Sequence, residues 1–422
     1  MTIEEYGAAL SPLTTMRVGG PAARLVTVTT TDELVDAVRE VDDAEEPLLV
    51  VGGGSNVVIA DAGFAGTVVR VATSGVARES QDACGGAFVR VAAGENWDDF
   101  VAGAIAERWT GVEALSGIPG SVGATPIQNV GAYGQEVAQT IAQVRTWDRQ
   151  AQAVKTFTAL DCRFTYRHSI FKGSPFSGSG HPVGDAAAAR GPAAGGRPGA
   201  GRSGEFGAAG TAANAPDVPA HSVSAGAAPL GATGRYVVLE VVFQFVVGDL
   251  SRPVGYQALA SGLGVEMGAR VPMADAREAV LEQRRRRGMV LDAADHDTWS
   301  CGSFFTNPQL GEAAFGRLTA RAAEVLGAGA EVPRYAGDAG SVKTSAAWLI
   351  ERAGFGKGYG LAGEDGLSGR AGLSTKHTLA VTNRGDAKAA DVLALAARVR
   401  DGVRDRFGVT LVNEPVLVGL DL

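Results

Sequence analysis

Long apolar runs are missing from this 422-residue chain, so no bilayer-spanning helix and no membrane insertion are expected. Cysteine is scarce. Cys84, Cys162 and Cys301 are odd in number and widely spaced, which gives neither a disulfide framework nor a zinc motif and fits a reducing compartment. The five histidines are scattered, and no metal site is expected. Dense positive charge is missing too: the formal net charge is −8 and the one arginine cluster is Arg284 to Arg287, which argues against nucleic acid as a partner. The opening MTIEEYGAAL is acidic and polar, unlike a secretory signal, so a cytoplasmic location is expected. The length suits two or three domains with real cores.

What the chain has in plenty is glycine, and its placement carries the first functional signal. Residues 117–137, GIPGSVGATPIQNVGAYGQEV, hold Gly117, Gly120, Gly123, Gly131 and Gly134 with almost no charge. Glycine is useful where backbone must approach another body closely or take positive φ. The small neighbours Ser121, Ala124, Thr125 and Ala132 leave amides free to face a flat or phosphorylated ligand. A lone run of this kind is as often a packed loop. A second run upstream, Gly52-Gly53-Gly54-Ser55-Asn56, shifts the balance toward one cofactor cradled by two loops. The GxGxxG spacing is absent, and the residues after Gly54 read as another strand instead of a helix, so a Rossmann site is excluded.

Residues 14–28 read as a Gly-Gly turn feeding a strand, and Thr30 to Val41 as a helix with a Thr30/Glu33 capping box. Residues 48–71 read as strand, glycine turn, strand, loop, strand. A strand at 88–92, a helix at 96–107 and a hairpin of 141–147 with 153–158 follow. CRFTYRHSIFK (162–172) crowds Tyr166, Arg167, His168 and Lys172 among aromatics and reads as a β-edge with snorkelling cations. From 173 to 234 the composition turns to Gly, Ala, Pro and Ser, too apolar-poor to offset its ordering entropy, so a disordered insertion is expected. RYVVLEVVFQFVV (235–247) resumes as a long strand. A helix at 274–287 ends in four arginines. A strand or turn at 299–308, helices at 312–326 and 344–353, a Gly-rich loop at 355–372, a strand at 378–382, a helix at 386–406 and a closing strand pair around Asn413, Glu414 and Pro415 complete the chain.

Seven separated motifs then point one way: MRVGGPA (16–22), GGGSN (52–56), GIPGSVGATPIQNVGAYGQE (117–136), YRHSIFK (166–172), GSFFTNP (302–308), GSVKTSAAWLIE (340–351) and NEP (413–415). In content and order the chain resembles the UDP-N-acetylenolpyruvoylglucosamine reductases, over nearly its whole length outside 173–234. The resemblance implies an α+β protein: an FAD-binding fold of the vanillyl-alcohol oxidase / p-cresol methylhydroxylase type over residues 1–248, interrupted by the insertion, and a C-terminal α/β substrate-binding domain over 249–422 whose last strands return toward the flavin. It implies non-covalent FAD, NADPH as hydride donor, UDP-N-acetylglucosamine enolpyruvate as substrate, UDP-N-acetylmuramate as product, and a monomer. NADPH would reduce the flavin; flavin N5 would then give hydride to C3 of the enolpyruvyl group, with a proton added at C2.

The resemblance assigns roles by position. Arg167 and Glu414 would stabilise negative charge spreading from C2 into the substrate carboxylate, and Ser303 would supply the proton. Gly52, Gly53, Gly54, Ser55, Asn56, Gly117, Pro119, Gly120, Ser121, Gly123, Ala124, Gln128, Asn129, Gly131, Ala132 and Tyr133 would hold FAD. Tyr166, Tyr256, Arg284, Arg287, Asn307, Tyr335, Lys376 and His377 would contact substrate, with Tyr256 and Tyr335 marking the subclass that closes a tyrosine-bearing lid. One departure stands out: Arg287 occupies the usual lysine position of an R-x-x-K pattern, keeping the charge on a broader, planar head. Cys301 is read as packing. An oxygen-using oxidase of the same fold is the competing enzyme, disfavoured because the glycine loops carry no His or Cys to tether flavin. A binder without turnover has no use for the Arg167, Ser303 and Glu414 set.

Overall fold

The computed structural model describes residues 2–82, 84–172 and 233–422. The sequence-based expectation of disorder over 173–234 lies outside the described residues, except at its last two positions, treated below.

Two sheets build the N-terminal half. The first runs in the order Ile3–Tyr6, Ala22–Val28, Phe64–Val71, Leu48–Val51, antiparallel at the first pair and parallel after it. Helix Thr31–Asp43 covers one face of it. Its start is fixed by the expected capping box: the Glu33 amide donates to Thr30 Oγ1, and the Glu33 carboxylate accepts from the Thr30 amide. The second sheet is antiparallel, ordered Ala153–Thr158, Ile141–Asp148, Tyr236–Val247, Gly86–Ala92, Val76–Asp82. Tyr236–Val247 lies at its centre, which explains a nearly unbroken apolar run with buried residues on both faces. Helix Trp97–Ala106 packs on this strand, with Phe100 5.1 Å from Phe243 and Trp97 fully buried. Asn96 caps that helix by accepting from the Asp98 and Asp99 amides.

Two further helices, Gln257–Leu263 and Met273–Arg285, pack through Leu259, Ala260 and Val280 against Ala114 of the N-terminal half. The C-terminal core gathers Phe304, Phe305, Leu349, Ile350, Val392, Leu395 and Val403 under helices Glu312–Leu326, Ala346–Arg352 and Ala389–Phe407. Met16, Val18 and Val58 from the N-terminal half belong to the same core. Asp61 accepts from the Ala389 and Ala390 amides, capping the long helix from across the molecule. Asn383 Nδ2 donates to the Met16 carbonyl. Among the described residues no helix is long and apolar enough to cross a membrane.

Several local expectations change. Residues 162–172 are not a β-edge: they form consecutive turns closed by one isolated Thr165–His168 bridge, with Arg167 at φ 55°. The Gly-rich 355–372 loop contains the start of a strand, Ala371–Leu373, paired with Val381–Asn383. No closing strand pair forms around Asn413. Instead the single strand Val416–Val418 runs parallel to Val57–Ile59, a partner far away in sequence. Residues 299–308 are mostly irregular, tied by the Ser300–Thr382 and Phe305–Asn413 bridges.

Candidate active site

The two glycine runs meet face to face. A Cβ on Gly53 would lie 2.6 Å from Gly120 Cα, so that position admits no side chain without parting the loops, and one on Gly52 would lie 2.1 Å from Ser121 Oγ and force that hydroxyl to move. Among the described residues, the amides of Gly53, Gly54, Ser55, Gly120 and Ser121 donate no backbone hydrogen bond. Converging, unspent amides on glycine-lined loops are the elements of an anion cradle. Asn56 Nδ2 ties the first loop to Gln128 Oε1 at 2.7 Å and to the Glu414 carbonyl at 3.2 Å.

These loops line a cavity of about 940 Å³, near the top of the roughly 300–1,000 Å³ usual for ligand pockets. Its charged lining is Arg167, Lys172, Arg284, Arg287 and Lys343 against one carboxyl, Glu414. A cavity that basic in a chain of net charge −8 is matched to polyanionic ligands. Arg284 Nη2 donates to the Met289 carbonyl, while its buried Nε has no partner among the described residues. Burial lowers its pKa to about 10, which leaves it charged at neutral pH. Arg287 Nη1 donates to Tyr133 Oη at 3.2 Å, and Tyr133 meets Tyr256 edge-on at 5.3 Å. Tyr256 and Tyr335 line the cavity and remain exposed. His377 also lines it, and burial, with help from Arg287 and Lys357, lowers its pKa to about 4.

At the other wall, Arg167 Nε sits 3.0 Å from Glu414 Oε1, within ion-pair range though not aligned as a hydrogen bond. Its Nη2 donates to the Gly131 carbonyl at 2.7 Å. The left-handed backbone at Arg167 costs about 1–3 kcal/mol in a non-glycine residue and is held by its surroundings. Burial raises the Glu414 pKa, while Arg167 and Lys172 pull it back. Ser303 lines the cavity near Glu414 because the Glu414 amide donates to the carbonyl of the next residue, Phe304.

Of the residues singled out from sequence, four do not line the cavity. Gly117 donates its amide to Asp98, and its φ of 72°, with Leu281 only 2.7 Å from where a Cβ would stand, makes it a packing glycine. Asn129 is buried behind the loop, donating to Glu136 and to the Thr165 carbonyl. Tyr166 backs the wall, its ring 4.8 Å from Lys343 Nζ and 5.2 Å from the Arg167 guanidinium. Lys376 pairs with Asp295 at 2.5 Å, away from the cavity. Asn307 lines the cavity and accepts from the Ala346 amide. Cys301 also lines it, but burial pushes its thiol up to about 12, in keeping with packing.

Sequence reasoning missed Lys172 and Lys343 as lining cations, although both sit inside quoted motifs. It also missed Thr233 and Gly234, which it assigned to the disordered insertion. They are docked instead: the Val50 amide donates to Thr233 Oγ1 at 2.7 Å, and Arg149 donates to the Thr233 and Gly234 carbonyls. This pins Thr233 against strand Leu48–Val51 and puts both residues in the cavity lining.

Comparisons with known proteins agree with this geometry. Residues 22–156 match a family described as an FAD binding domain, and residues 294–418 match the C-terminal domain of UDP-N-acetylenolpyruvoylglucosamine reductase. The chain is 49% identical over 413 residues to the UDP-N-acetylenolpyruvoylglucosamine reductase of Thermobifida fusca, covering 98% of this chain and 97% of that protein. The Streptomyces avermitilis protein of the same name is 48% identical over 420 residues, 99% of this chain and 96% of that one. The crystal structure of the Thermus caldophilus reductase matches with a TM-score of 0.54 at 21% identity over 99% of both chains, a likeness of fold.

Proposed function

The chain belongs to the UDP-N-acetylenolpyruvoylglucosamine reductases, FAD-dependent oxidoreductases of peptidoglycan precursor synthesis, and from that membership we propose that it uses NADPH to reduce UDP-N-acetylglucosamine enolpyruvate to UDP-N-acetylmuramate in the cytoplasm. Its fold is the expected one, an FAD-binding half of the vanillyl-alcohol oxidase type joined to the reductase C-terminal domain. The observation that carries the reading is the Arg167–Glu414 pair, with Ser303 nearby, on the wall of a basic cavity floored by two opposed glycine loops.

The residues present fit FAD. The unspent amides of Gly53, Gly54, Ser55, Gly120 and Ser121 suit its pyrophosphate, and the apolar lining of Val51, Ile118, Ile127 and Val238 suits its ring systems. When bound, FAD supplies a two-electron relay between nicotinamide and the enolpyruvyl double bond. Everything else falls to side chains. Reduction at C3 of the substrate builds negative charge at C2 and in its carboxylate. Arg167, permanently charged and already directed to a carboxyl, stabilises that charge as it forms. Glu414, with its pKa raised by burial, is suited to hold a proton and donate a hydrogen bond to the same group. Ser303 delivers a proton to C2, a step open to a weak acid because the carbon it faces is strongly basic. Arg284, Arg287 and His377 would bind the UDP moiety, and Tyr256 and Tyr335 would close over it.

The test is an anaerobic flavin spectrum followed through two additions. NADPH should bleach the flavin band and UDP-N-acetylglucosamine enolpyruvate should restore it. Ser303→Ala should bleach normally and slow the restoration about 10²–10⁴-fold, the usual worth of a positioned acid. Normal restoration in Ser303→Ala would remove serine from the mechanism. Bleaching reversed by air but not by the enolpyruvyl substrate would remove the reductase reading itself.

A further inference from the structure

Lys172 is the last residue of the turn segment that carries Arg167, and it lines the cavity. Its Nζ reaches back five residues to donate to the Arg167 carbonyl at 3.1 Å. That bond is made to the residue whose backbone is left-handed at φ 55°. With the carbonyl held, the Arg167 side chain is directed to the Gly131 carbonyl and to Glu414. Among the described residues Lys172 has no ion-pair partner within the usual distance, yet its charge acts on Glu414 alongside that of Arg167. One carboxyl thus faces two cations, which leaves net positive charge to receive a carboxylate from the substrate.

We propose that Lys172 is a positioning residue of the reductase reaction: its ammonium locks the left-handed Arg167 backbone and, as the second cation beside Glu414, sets the charge of the pocket that receives the substrate carboxylate. The inference rests on the roles given to Arg167 and Glu414 above. The groups that face Glu414 come from two segments: Arg167, Lys172 and Tyr166 from the turn segment, with His168 beside Lys172, and Cys301 from the irregular 299–308 stretch. Of these Arg167 and Lys172 are the ones whose charge pulls the Glu414 pKa down. Burial weakens Lys172 as a base and Glu414 strengthens it. Removing its charge takes away one of the two cations holding the Glu414 pKa down, so that pKa must rise.

The experiment uses the FAD holoenzyme with Lys172→Met, Lys172→Gln and Arg167→Lys in parallel, each half-reaction followed by anaerobic stopped-flow absorbance across pH. In Lys172→Met, reoxidation by UDP-N-acetylglucosamine enolpyruvate should slow about 10²-fold, the usual effect of misplacing a positioned group. Reduction by NADPH should be unchanged, and the pH limb of reoxidation should move to higher pH. Lys172→Gln keeps a donor for the Arg167 carbonyl without the charge. It should recover part of the rate while its pH limb stays displaced, and it carries the test alone should the methionine variant not retain flavin. An unmoved limb with unchanged reoxidation in either variant overturns the proposal, as does equal slowing of both half-reactions, which marks a general structural defect. If Arg167→Lys leaves reoxidation unchanged, the reading of the active site fails first. If it slows reoxidation while Lys172→Met does not, only the assignment of Lys172 fails.

Discussion

Replacing Gly53 by alanine adds one methyl group at the point where the two glycine loops touch. That methyl would stand 2.6 Å from Gly120 Cα, 2.9 Å from its carbonyl carbon and 3.3 Å from the Ser121 nitrogen. All three are backbone atoms, so no side chain can rotate away. Carbon atoms rest at about 3.5–4.0 Å, so the loops must part by roughly 1 Å. Overpacking of this kind costs about 1–3 kcal/mol. If the loops together hold the cofactor, the strain is felt where their amides converge, and FAD affinity falls about 10- to 100-fold, at 1.4 kcal/mol per decade. The assay is quenching of flavin fluorescence as apoprotein is titrated into FAD. Gly103→Ala is the matched control: Gly103 lies in helix Trp97–Ala106 with nothing within 4 Å of the new methyl. There the same substitution should stabilise the protein by about 0.5–1 kcal/mol and leave FAD affinity alone. Equal FAD affinity in Gly53→Ala and wild type would refute the argument that the opposed loops form the cradle.

Two further outcomes follow from buried charge. Arg149 and Asp42 form an ion pair with side chains only 3% and 9% exposed, and Arg149 also holds the Thr233 and Gly234 carbonyls. Arg149→Met should cost about 3–5 kcal/mol in chemical denaturation because it strands a buried carboxylate, and the double variant with Asp42→Asn should cost less than the sum; strict additivity would show that the pair does not couple. His377 is held neutral in the folded state, its pKa lowered from 6.5 to about 4. The unfolded chain therefore binds the extra proton first, so this histidine withdraws stability as pH falls from about 6.5 toward 4, up to about 3 kcal/mol in all. His377→Gln should flatten the pH dependence of the denaturation midpoint across that window, and an unchanged slope would place the titration elsewhere.

Much of the fold was legible because its signals are local. Thr30 and Glu33 announced a capping box that the structure contains, and the apolar run at 235–247 announced a strand buried on both faces. The two glycine runs pointed to a cradle before anything showed them in contact. Where the sequence misled, the deciding partner was remote. Val416–Val418 pairs with Val57–Ile59, and no local pattern carries that information. Thr233 and Gly234 looked like the tail of a low-complexity segment, yet they are pinned by Leu48–Val51 and Arg149. Lys376 and His377 are neighbours with the same claim from sequence, but the turn sends one to Asp295 and the other into the cavity.

Chemical character was thus determined by the chain alone: the glycine runs, the ordered motifs, the lack of a Rossmann spacing and the family to which they belong. These are properties of residue type and local order, and they survive without coordinates. Tertiary structure decided which charges converge. Arg167, Lys172, Arg284, Arg287 and Lys343 come from three separated stretches of an acidic chain and line one cavity, where Arg167 and Lys172 face its single carboxyl. Neither that concentration of charge nor the raised pKa of Glu414 exists until burial removes water from between them, because electrostatic energy depends on distance and surroundings and not on position along the sequence.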